Sequence, residues 1–127
     1  MSQITYLKDV CMITCIVASG TGQTEEMLLA ARNAGAKGAI SYHARGHGAR
    51  ERFGALGIAV ETEKDVISLL VSTEQRDTVF EAMYNAGDIG SPGAGLMYVT
   101  PMEKVAAYVP DSIRKKLKET ARLRDAQ

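Results

Sequence analysis

From Val10 to Ala18 the chain reads VCMITCIVA, two mostly apolar faces in alternation, and SGTG follows. Such a segment predicts a strand that is covered on both sides or buried at an interface. Next comes QTEEMLLAARNAG, with Thr24 as a capping hydroxyl, Glu25 and Glu26 at the positive end of a helix dipole, and Gly35 as a left-handed stop. From Gly38 the run AISYHA predicts a second strand, and EKDVISLLVS, residues 63–72, a third. Ser72 with Gln75 fits a capping box, and Val79, Phe80 and Met83 recur at helical spacing until Gly87 closes a second helix. GLMYV, residues 95–99, is the fourth strand.

The order βαββαβ predicts an α+β fold, a ferredoxin-like sandwich with two helices on one face of a four-stranded antiparallel sheet. The other sheet face then lacks a cover, so sheets of several copies are expected to pack together in a closed ring or dimer. The stretch PDSIRKKLKETARLRDAQ predicts a C-terminal helix over 111–127, capped at Asp111 or Ser112, with Ile113, Leu117 and Ala121 on one face.

With 127 residues, no internal repeat and no linker, one domain is expected over 1–127, its core at 10–110. No apolar run is long enough to span a bilayer, and MSQITYLKDV lacks the basic and apolar regions of a secretory signal, so a soluble, cytoplasmic protein is expected. Fifteen basic residues balance fifteen acidic ones, which argues against a dedicated nucleic-acid surface. The basic tail is the exception, with a solvated surface, a docking element and a source of cations for a cleft as its readings. Cys11 and Cys15 share one strand face too far apart for a relaxed disulfide and are expected as buried thiols.

The chemistry concentrates in two loops. HARGHGARERFG, residues 43–54, sets Arg45, Arg50 and Arg52 among glycines and histidines: an anion cradle, a mobile arm for a partner, or a solvated loop. In GSPGAG, Gly90, Gly93 and Gly95 let backbone N–H groups approach phosphate oxygens and Ser91 adds a hydroxyl; a plain turn is the alternative. No Gly-Lys-Ser/Thr follows, so this is not a P-loop. Arg45 and Arg50 are candidates for charge-assisted bonds to a phosphate, and no cysteine or carboxylate completes a metal set with His43 and His47. No nucleophile stands beside a base, and no enzyme or cofactor is expected.

GAKGAISYHARGHGAR, residues 35–50, and IGSPGAGLMYVTPMEKVAAY, residues 89–108, together with the element order, resemble the PII family of signal-transduction proteins and its PII-like relatives over about residues 10–110. The resemblance implies a homotrimer that binds an adenine nucleotide in clefts between subunits. Arg45, Gly46, His47, Gly48, Arg50, Gly90, Ser91, Gly93 and Gly95 would touch the ligand, His47 standing where the family has an aromatic residue. The loop over 46–63, the family's T-loop, would dock on a membrane transporter or metabolic enzyme through Arg52 and Phe53. Three family cations are replaced by Leu96, Ala107 and Val109, which favours ADP, AMP, a cyclic nucleotide or a small anion such as bicarbonate over ATP. The loop has no Tyr or Ser between Ala49 and Glu63, so uridylylation of a Tyr or phosphorylation of a Ser has no acceptor there. A small ferredoxin-like enzyme acting on an anionic substrate and a ligand-free structural trimer are the competing readings.

Overall fold

The computed structural model describes residues 4–46, 62–108 and 110–112, and the backbone of 52–53 and 58–59. The chain divides into two compact units, Asp9–Met102 and Met1–Lys8 with Glu103–Gln127.

The larger unit contains β2 (Val10–Ala18), α1 (Gln23–Asn33), β3 (Ile40–Gly46), β4 (Arg52–Phe53), β5 (Ile58–Ala59), β6 (Thr62–Ser72), α2 (Arg76–Ala86) and β7 (Gly95–Pro101). Four strands make one antiparallel sheet in the order β3-β6-β2-β7. This is the split βαβ arrangement: β6 lies between β3 and β2, and β2 between β6 and β7. The fold class is therefore α+β, ferredoxin-like, as the order of elements predicts. A short β4-β5 pair, Arg52↔Ala59 and Phe53↔Ile58, is an addition the pattern does not announce.

Strand alternation sorts the sheet into two faces. Cys11, Ile13, Cys15 and Val17 of β2 and Ile67, Leu69 and Val71 of β6 point to the helix side, where Met27 and Ala31 of α1 and Val79 and Met83 of α2 close the core. Both cysteines are free and buried, and burial pushes the Cys15 thiol up to about 12. The opposite face exposes Ile40, Tyr42, Leu70, Leu96 and Tyr98. Within it the Thr14 hydroxyl, on a residue only 5 % exposed, has no hydrogen-bond partner among the described residues.

Both helix starts differ from the sequence reading. Thr24 does not cap α1; Gly22, at φ 82°, takes that place, and Glu26 N–H donates to its carbonyl at 3.3 Å. The Thr24 hydroxyl is drawn instead to a carboxylate of the sheet. At the other end Gly35 is left-handed at φ 109°, and Ala36 N–H reaches Ala31 O while Gly35 N–H reaches Arg32 O, the two bonds of a Schellman close. For α2 the Ser72–Gln75 capping box does not form: Gln75 itself is the cap, without a side-chain cap bond, the helix begins at Arg76, and the Gln75 N–H donates to the Ser72 hydroxyl at 3.3 Å ahead of it.

The smaller unit pairs β1 (Tyr6–Leu7) with β8 (Val105–Ala106), Tyr6↔Ala106 and Leu7↔Val105, and the Lys104 ammonium lies 5.1 Å over the Tyr6 ring. The predicted C-terminal helix lies outside the described residues beyond Ser112.

Candidate functional site

Register brings four strand ends to one end of the sheet: Ala18 pairs with Lys64, Gly46 with Thr62 and Val17 with Gly95. The N-terminus of α1 comes to the same end, because β2 and α1 are joined by only four residues.

The glycine loop follows α2. Gly87 caps the helix at φ −87°, and the left-handed position falls on Asp88 at φ 51°. Gly87 is needed for room: a Cβ there would meet Met27 Sδ at 2.6 Å. Ile89 N–H donates to Tyr84 O, Ser91 N–H to Asp88 O and Ala94 N–H to Ser91 O, so three loop donors are already used. The Ser91 hydroxyl donates to Asp88 Oδ2 at 2.6 Å. Gly90 and Gly93 keep N–H groups with no acceptor among the described residues.

A residue the sequence reading passed over holds this loop shut. Gln23 Nε2 donates to Gly87 O at 2.6 Å and to Ala94 O at 2.9 Å, tying both ends of the loop to the first turn of α1. No local signal in the sequence marks it, since the partners are backbone carbonyls far along the chain. Beside it lies a hollow of about 300 Å³ lined by Thr21, Gln23, Glu26, Gly87, Asp88 and Ala94. Its two charged lining residues are both carboxylates.

Arg45 and Gly46 sit at the end of β3, on the opposite sheet edge from Gly95. Three strand spacings, about 14 Å, separate the two edges, so one chain does not bring Arg45 against the glycine loop. His47, Gly48 and Arg50 lie outside the described residues, and Arg52 and Phe53 have their backbone in β4.

The same end of the sheet carries a second polar group. Asp65, at a helix-facing position of β6 and 13 % exposed, receives the Ser19 hydroxyl at 2.6 Å on Oδ1 and the Thr24 hydroxyl at 2.6 Å on Oδ2. His43 Nδ1 lies 2.8 Å from Oδ1. The Ser19 and Thr24 hydroxyls, and then His43, hold the Asp65 carboxyl below the usual carboxylate range despite its partial burial. Among the described residues no three of His, Cys, Asp and Glu gather as a metal site, and no helix is long and apolar enough to cross a membrane.

No protein-family model and no curated protein matches the sequence. Among solved structures, PII of Arabidopsis thaliana, crystallised with citrate, superposes with a TM-score of 0.59 at 18 % identity, over 75 % of this chain and 78 % of that one. The molecule thus has the PII-type ferredoxin-like fold.

Proposed function

We propose that the chain is a PII-like regulatory protein rather than an enzyme: a homotrimer that binds an adenine nucleotide, ADP or AMP ahead of ATP, or a small anion such as bicarbonate, in clefts between subunits. Occupancy of the cleft biases the loop over 46–63, which controls a transporter or metabolic enzyme through Arg52 and Phe53. A ligand acts this way only by binding the two loop states unequally.

The observation that carries the reading is the PII-type fold, with the glycine loop and the root of the long loop at one end of the sheet. Assembly is supported by the open face, where Ile40, Tyr42, Leu70, Leu96 and Tyr98 are exposed around the Thr14 hydroxyl, unpaired among the described residues. Buried polar atoms usually find partners, and a second copy laid on this face supplies them. A cyclic assembly also sets the β3 edge of one copy near the β7 edge of the next, closing the 14 Å separation. The preference against a triphosphate gains support from Glu26 and Asp88 beside the glycine loop, which add repulsion to the three missing cations. The Arabidopsis structure holds citrate, a small polycarboxylate, in keeping with the anion half of the proposal.

Calorimetric titration with ATP, ADP, AMP, cyclic nucleotides and bicarbonate tests it. Saturable binding of one ligand per subunit, weakened roughly tenfold by Arg45→Ala or Arg50→Ala, is expected from the loss of one charge-assisted bond. No binding of any of them at millimolar concentration overturns the sensor reading and leaves a structural trimer.

A further inference from the structure

The Asp65 group has a use that the nucleotide cleft does not absorb. An ionised carboxylate only accepts hydrogen bonds, and Asp65 is held ionised by two hydroxyl donors. The ring nitrogen of His43 at 2.8 Å from it must therefore carry the hydrogen, which fixes the Nδ1–H tautomer. In the neutral ring the lone pair then belongs to Nε2, on a side chain 78 % exposed. A carboxylate that orients an imidazole in this way presents an aimed nucleophile rather than a freely turning surface histidine.

The next residue on the same face of β3 is Arg45, two positions on and about 6.6 Å along the strand. It is exposed and has no partner among the described residues. Its planar fork of donors matches phosphoryl oxygens.

We propose that His43 is a phosphorylation site, its Nε2 accepting the phosphoryl group of a small acyl phosphate. The Nε2 lone pair forms the N–P bond as the P–O bond to the acyl oxygen breaks, and the carboxylate departs with that electron pair. Nδ1 keeps its proton, and the positive charge that develops on the ring faces the Asp65 carboxylate. Arg45 holds the phosphoryl oxygens during transfer. The phosphoryl group brings close to two negative charges and the ring, keeping its Nδ1 proton, one positive charge. About one net negative charge is thus added at the root of the 46–63 loop, beside Arg45, where the loop itself offers no Tyr or Ser to modify between Ala49 and Glu63. The step requires neither a bound nucleotide nor a trimer, so it stands or fails apart from the sensor reading.

The full-length protein is incubated with acetyl phosphate and followed by intact mass, acid lability and peptide mapping, which separates His43 from His47, the other histidine of the chain. One acid-labile phosphoryl group per chain on His43 is expected, absent in His43→Gln and retained in His47→Gln. Its formation is expected to slow at least tenfold in Asp65→Asn, which spoils the tautomer, and in Arg45→Gln. No adduct, an adduct formed as fast on His47, or wild-type rates in Arg45→Gln overturn the proposal. Arg45 is exposed, so its variant keeps the test decisive if Asp65→Asn fails to fold.

Discussion

Asp65 shows how one side chain can tie three elements together. It joins the end of β6 to the Ser19 turn, to the first turn of α1 and to β3. Replacing it by Ala leaves two hydroxyls unpaired, and a loss of about 2–3 kcal/mol in denaturant unfolding is expected. Its carboxyl is held lower in the folded state than in the unfolded chain, so its contribution is full above the ordinary carboxylate value of about 3.9 and fades as acid protonates it. The gap in unfolding midpoint between wild type and Asp65→Asn should accordingly hold from pH 6 down to about 5 and narrow as pH falls past about 3.9 and below. Gly95 presents the opposite case, a residue valued for having no side chain. At φ +137° it lies so close to the Ile16 carbonyl that a Cβ collides with backbone. Gly95→Ala is expected to cost about 3 kcal/mol by the same measurement, more than a helix-surface glycine would. Cys15, with its thiol pushed up to about 12, should resist thiol reagents at neutral pH in the native protein and react once unfolded.

Strands and helices were legible wherever the pattern had a reason to be regular. The alternation in VCMITCIVA, the spacing of Val79 and Met83 and the stop at Gly35 all report local geometry, and the structure follows them. Thr24 misled because a hydroxyl near a helix start suits either a cap or a distant acceptor, and Asp65, 41 residues away, is the stronger partner. Gln23 was illegible for a similar reason, its acceptors lying 64 and 71 residues away. Since it spans the two ends of the glycine loop, Gln23→Ala should cost about 1–2 kcal/mol and raise amide hydrogen exchange over 87–95 while leaving the strands protected. Unchanged exchange in that segment shows that the loop keeps its form without the glutamine.

For the molecule as a whole the open sheet face is the deciding feature. An apolar surface carried by four strands is a standing reason to associate, and the proposed trimer follows from covering it. Light scattering or sedimentation should return three times the chain mass, with Tyr98→Glu or Leu70→Glu shifting it to the monomer. A monomeric wild type rules out both the trimer and the clefts it would form.

Periodicity is a local property, so the order βαββαβ, the buried thiols and the helix-facing core could be read from neighbouring residues alone. Pairings across the sheet and between loops depend on which strands become neighbours, and the chain carries no short-range mark of that choice. The tertiary structure alone therefore put Asp65 under His43, closed the glycine loop with Gln23 and set Arg45 on the edge opposite Gly95.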